Sequence, residues 1–125
     1  MIKEIHHVSL KCADQKTYEE VRRFYCDILG LRVKRVWDEG MMLDTGNGLI
    51  EVFNNGAGVR ELGAVRHFAL AADHIDDLAD RIGKAGYEVF IQPKDIVIHS
   101  DPALPARIAF CRGPLGEEIE LFDEK

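Results

Sequence analysis

No apolar run in this sequence approaches the roughly 20 residues that span a bilayer as a helix, so a membrane-spanning role is not expected. No signal peptide opens the chain, and the expected location is the cytoplasm. A basic tract is also missing. With 16 Lys and Arg against 22 Asp and Glu, the formal net charge is −6. That argues against a nucleic-acid partner, whose affinity would rest on clustered cations. Cysteine is sparse. Cys12, Cys26 and Cys111 cannot all pair within one chain, and none has C-x-x-C spacing. They read as reduced thiols of a cytosolic protein, and no base stands near one in the frame a catalytic cysteine needs.

What remains is an ordinary soluble balance. The 125 residues are 46% apolar and 30% charged, enough for one domain over residues 1–125 with a core that needs no staples. Within it the sequence repeats. Ile5-His6-His7-Val8-Ser9-Leu10 resembles Val65-Arg66-His67-Phe68-Ala69-Leu70, and Leu49-Ile50-Glu51-Val52-Phe53-Asn54 resembles Glu118-Ile119-Glu120-Leu121-Phe122-Asp123. The halves are about 1–56 and 63–125, joined by the glycine-rich stretch Asn54-Asn55-Gly56-Ala57-Gly58.

Apolar periodicity predicts one helix per half. Tyr18, Val21, Tyr25 and Ile28 line one face over about 16–29, with Thr17-x-x-Glu20 as a capping box and Gly30 as the stop. Ile75, Leu78, Ile82 and Ala85 do so over about 75–85, with Asp73 as N-cap. Strands are expected at about 4–11, 31–37, 41–44, 48–53, 64–71, 87–92, 106–112 and 117–122. Each half then reads βαβββ, an α+β class. Residues 92–105 hold three prolines and are expected to form an irregular loop, with 96–98 as a further short strand at most.

Side chains alternate faces along a strand. His7 shares a face with Ile5 and Ser9, His67 with Val65 and Ala69, Glu51 with Leu49 and Phe53; Glu120 lies opposite Ile119 and Leu121. The helices must cover the Val8, Ile50, Phe68 and Ile119 side. His7, Glu51, His67 and Glu120 then point the other way, onto a face that also carries Ser9, Leu49, Phe53 and Phe122. A half-apolar face with a few ionisable groups has the composition of a substrate pocket. Two imidazoles and two carboxylates converging on one cavity are costly unless paired. One divalent cation resolves this, and nickel, zinc, cobalt, manganese or iron(II) suit such donors. A lone strand His is more often structural; the same residue types at the same places in both halves raise these four above that.

Three stretches stand out: Ile5-x-His7-Val8-x-Leu10, the helix end Phe24-Tyr25-Cys26-Asp27-Ile28-Leu29-Gly30-Leu31, and the closing run from Arg107 to Leu121. They resemble the vicinal oxygen chelate superfamily, which includes glyoxalase I, methylmalonyl-CoA epimerase, extradiol dioxygenases and bleomycin-binding proteins. The resemblance covers essentially the whole chain. It implies paired βαβββ modules forming a half-open barrel around a metal, with His7, Glu51, His67 and Glu120 as ligands. It also implies a homodimer, since modules pair between chains in some members. The ligand set is most like that of glyoxalase I. What this implies is a metal-dependent lyase or isomerase acting on a 2-oxoaldehyde thiohemiacetal, with Glu120 moving a proton by way of an enediolate and Glu51 as second candidate. Two features depart from the pattern. Asp27 stands where glyoxalase I commonly has a basic anchor for glutathione, and Gly113-Pro114 replaces the usual Asp-Pro. The first argues for another thiol carrier, or for a substrate that is no thiol adduct. The competing readings are a CoA-ester epimerase, a dioxygenase and a small-molecule binding or resistance protein. His99, Lys94 and Arg107 read as solvated residues in or beside the loop, with an anion anchor or lid as their alternative role. His6 and His74 are expected outside the cavity, and Trp37 in the core or at its rim.

Overall fold

Each half of the chain folds as a strand, a helix and three further strands. The computed structural model describes residues 1, 4–57, 63 and 65–125, and the chain divides into two compact units, Met1–Glu61 and Leu62–Lys125. Gly58 of the expected joint and Ala64 of the expected fifth strand lie outside the described residues.

In unit 1, β1 (His7–Lys11) leads into α1 (Gln15–Arg22), followed by β2 (Arg32–Trp37), β3 (Gly40–Asp44) and β4 (Leu49–Phe53). The sheet order is β1-β4-β3-β2, with β1 parallel to β4 and the rest antiparallel. The helix is capped by Asp14, whose carboxylate accepts from the Thr17 N–H at 2.8 Å, so the cap lies three residues ahead of the expected Thr17 box. A short side-chain acceptor there satisfies one of the helix's free N–H groups. After Arg22 the helix widens into a π turn over Arg23–Ile28, where Leu29 N–H reaches back five residues to the Phe24 carbonyl. Gly30 follows at φ +82°, a conformation glycine adopts without Cβ strain. Val21, Phe24 and Tyr25 are buried, as are Met41, Leu43, Ile50 and Val52 from alternate positions of β3 and β4. Each fully buried side chain of this size contributes about 1.5–3 kcal/mol.

Unit 2 repeats the plan with β5 (Phe68–Ala71), α2 (Ile75–Lys84), β6 (Val89–Ile98), β7 (Leu104–Arg112) and β8 (Glu118–Glu124), in the order β5-β8-β7-β6. Its core is Ile75, Ala79 and Ile82 from α2 against Ala109, Cys111, Ile119 and Leu121 of the sheet. Three details depart from the sequence reading. First, β6 runs on to Ile98 through Pro93, where an irregular loop is expected. Pro93 falls in a register shift between Ile91 and Lys94, so the ladder never calls on its missing N–H. Second, the N-cap of α2 is His74 in the left-handed region, with no side-chain cap, rather than Asp73. Third, His67 sits one residue before β5 instead of within it.

Both sheets carry the same irregularity. In β2 the register shifts between Val33 and Arg35, so Lys34 and Arg35 together oppose Met42. In β6 it shifts between Val89 and Ile91, so Phe90 and Ile91 together oppose Phe110. Such a bulge re-aims side chains locally. Among the described residues no helix is long and apolar enough to cross a membrane.

Candidate metal centre

Parallel pairing of the first and last strand of each unit sets two donors side by side. In unit 1, His7 pairs with Leu49 and Ser9 with Glu51, so His7 and Glu51 are diagonal neighbours on one face. In unit 2, Phe68 pairs with Ile119 and Ala69 with Glu120, which puts His67 in the same relation to Glu120. The distances agree. His7 Nε2 lies 3.5 Å from Glu51 Oε1, and His67 Nε2 lies 3.4 Å from Glu120 Oε1. Exposure agrees too, at 36% and 40% for the imidazoles and 13% for each carboxylate.

The separation is informative. A charge-assisted N–H···O bond would close to about 2.7–2.9 Å. Two donors bonded to one cation at 2.0–2.2 Å instead stand about 3.0–3.5 Å apart. Each pair therefore has the chemistry and the spacing of two adjacent ligands. The structure brings the four expected ligands together as two pairs, each within its own unit; among the described residues no three His, Cys, Asp or Glu side chains form a group that could hold a metal ion.

The ring nitrogens away from the carboxylates are held differently. His7 Nδ1 lies 2.9 Å from His6 Nδ1, one of the two carrying the proton, and the rings meet edge to face. His6, expected outside the site, thus touches a candidate ligand. An outer partner of this kind orients a metal-binding imidazole. His67 instead packs edge to face on Phe110 at 5.2 Å.

The surroundings differ further. Glu51 pairs across the sheet with Met42, and Glu120 with Phe110. Phe110 packs on Phe90, over which the Arg112 guanidinium lies at 4.2 Å, itself held by Glu88 and Glu118. In unit 1, Trp37 meets Phe53 at 5.8 Å. The two touch across Gly40, where an added Cβ would stand 2.8 Å from the Trp37 ring and 2.6 Å from the Val52 carbonyl oxygen. The expected pocket residues Leu49, Phe53 and Phe122 are half-buried, and Ser9 is exposed beside Glu51. Met42, Phe110, Phe90 and Trp37 belong to these faces as well. Counting register outward from the two Glu residues would have found the first two.

Other candidates have occupations elsewhere. Arg107 grips Asp76 through two 2.7 Å bonds and Asp95 at 3.1 Å. Asp76 and then Asp95 hold the guanidinium pKa well above its ordinary value, and Arg107 holds both carboxyls below theirs. It ties the start of α2 to the sheet. Lys94 is an exposed residue of β6, and His99 lies exposed just beyond it. None of the three thiols forms a disulfide. Burial pushes Cys111 up to about 11, which keeps it from acting as a thiolate near neutral pH.

A family model described as the Glyoxalase/Bleomycin resistance protein/Dioxygenase superfamily matches residues 4–121. No curated protein sequence matches the chain. Among solved structures it is similar to a putative glyoxalase family protein from Bacillus anthracis, with 24% identity, TM-score 0.71 and coverage of 100% of this chain and 98% of that one. It is also similar to the trypanothione-dependent glyoxalase I of Leishmania major, with 19% identity, TM-score 0.71 and coverage of 98% and 87%. Lactoylglutathione lyase from Agrobacterium tumefaciens gives 15%, 0.66, 98% and 95%. At these identities the likeness is one of fold.

Proposed function

Because the chain belongs to the glyoxalase/bleomycin resistance protein/dioxygenase superfamily, we propose that it is a metal-dependent lyase or isomerase of the glyoxalase I type. Its substrate is a small α-hydroxycarbonyl, such as the thiohemiacetal of a 2-oxoaldehyde. The observation that carries this reading is the His–Glu pair built twice at one register, with donor separations of 3.5 and 3.4 Å. His7 with Glu51, and His67 with Glu120, would each supply two ligands to a divalent ion, for which nickel and zinc are the leading choices. Such an ion, when bound, polarises a carbonyl and its neighbouring oxygen as a Lewis acid.

The remaining work falls to this chain's own groups. The Glu120 carboxylate takes a proton from one carbon and returns it to the next, a transfer worth about 10²–10⁴ in rate. Ala69 and Phe110 pair with Glu120 on its two sides and offer no side-chain group that competes for that proton, and the carboxylate itself is 13% exposed. Glu51, beside Ser9 and Met42, is the second candidate. We read the protein as a cytosolic homodimer, a state that light scattering measures directly.

The test is metal content and turnover together. Wild type reconstituted with nickel or zinc is expected to hold one equivalent and to isomerise the hemithioacetal of methylglyoxal with at least one cellular thiol. His67→Ala and Glu120→Ala are expected to lose metal. Full occupancy in both variants would overturn the ligand assignment. One equivalent of metal without turnover on any thiol would keep the site, remove the glyoxalase assignment and bring a CoA-ester epimerase forward.

A further inference from the structure

We propose that the bulge of β2 carries an anion subsite, with Arg35 as its cation, for a substrate whose far end is a carboxylate. That the substrate lies beside Glu51, one of the four residues proposed to hold the metal, rests on the reading above. The subsite itself rests on the sheet of unit 1 alone.

Three observations converge on Arg35. The first is register. Ser9, Glu51, Met42 and Arg35 form one cross-strand row, each paired with the next, and directly paired residues share a face. Arg35 is thus two strands from Glu51, about 10 Å. Its guanidinium turns back over the row, with Nη1 at 3.4 Å from the Met42 sulfur, on the Glu51 side of β2. The second is partnership. Arg22, Arg107 and Arg112 are each held by carboxylates. The described partner of Arg35 is a thioether, a weak acceptor for a fork of five donors. Asp44, on the same face of β3 as Met42, accepts from the Gly46 N–H at 2.7 Å. The third is the repeat. The matching row of unit 2 reads Ala69, Glu120, Phe110 and Ile91. Where unit 2 puts Phe90-Ile91 at its bulge, unit 1 puts Lys34-Arg35. The frame asks for a bulge there but not for a cation, since an apolar pair fills the same geometry in the other copy.

An arginine fork matches a carboxylate in geometry as well as charge. The spacing from Glu51 suits the adduct of a short thiol acid, with the thiol carbon chain lying along Met42. This also gives the chain a cation for an acidic thiol although position 27 is Asp.

The experiment compares two ligands that differ in one group: the lactoyl thioester of 3-mercaptopropionate and the same compound as its carboxyl methyl ester. Calorimetric titration gives Kd for wild type, Arg35→Gln and the charge control Lys84→Gln, each with and without one equivalent of Ni²⁺. Wild type is expected to prefer the acid about tenfold or more. Arg35→Gln is expected to erase that preference while binding the methyl ester as before, and Lys84→Gln to keep it. A preference that survives Arg35→Gln, or one absent from wild type in both forms, overturns the subsite. Metal stoichiometry in the same samples reports separately on the His–Glu pairs, so the subsite stands if Arg35 sets the preference in metal-free protein even where nickel fails to bind.

Discussion

Units 1 and 2 share strand order, parallel pairing of the outer strands, a His–Glu pair and a bulge at the same place, yet they surround their carboxylates differently. In unit 2 the row beside Glu120 is aromatic and aliphatic, and its neighbouring cation, Arg112, is neutralised by Glu88 and Glu118. In unit 1 the row beside Glu51 ends in an arginine that leans on a thioether. The backbone has been kept and the lining has diverged. On the proposed reading, one copy offers an apolar wall for proton transfer and the other a polar reach for holding the substrate.

The sharpest way to break this division is to exchange the roles of the carboxylates. Glu120→Gln is expected to lower kcat by about 10²–10⁴-fold, and Glu51→Gln to lower it less while weakening metal affinity. Equal losses of kcat at matched metal occupancy would show that the two linings do not divide the chemistry.

A second test weighs the linings by stability. Phe110 packs on His67 and Phe90, whereas Met42 touches Arg35. Phe110→Ala is expected to cost about 3 kcal/mol, and Met42→Ala about 2. Denaturant unfolding measures both, and a larger loss at Met42 would invert the comparison.

The division was partly legible in the sequence. The duplicated His and Glu positions follow from alternation alone, because a period of two puts residues 49, 51 and 53 on one face whatever the boundaries. The helices were legible from their apolar stripes. The bulges were not. Val33 and Val36 stand three apart in a strand, the spacing an inserted residue leaves, but among Arg32, Lys34 and Arg35 this reads as a solvated edge. Without the bulge, neither Arg35 nor Phe90 could be assigned a face. Likewise β6 was hidden by Pro93, because composition cannot reveal that the proline meets an unused place in the ladder. The role of His6 was hidden as well, since alternation turns it away from His7 and only the observed ring contact brings them together.

The smallest expected effect lies on the helix side of unit 2. Asp76 and Asp95 titrate below their ordinary range because Arg107 faces them. A lowered carboxyl pKa adds stability above the unfolded value, near 4, and loses it as pH falls through the folded value. Arg107→Ala should therefore lower Tm by a few degrees at neutral pH, with the gap to wild type closing below about pH 4. A gap that is unchanged at pH 3 would mean that Arg107 acts by packing alone.

One inserted residue in a strand also makes a slot that can be rewritten. The hydrogen-bonded frame on either side of the β2 bulge is fixed by its pairing with β3, so the dipeptide it holds can change identity without rephasing any neighbour. Duplication handed this protein two such slots on the same backbone. One is spelled Lys-Arg and the other Phe-Ile. The His–Glu pairs lie at the opposite side of each sheet from these edge strands, so two-letter edits at β2 or β6 leave them as they are.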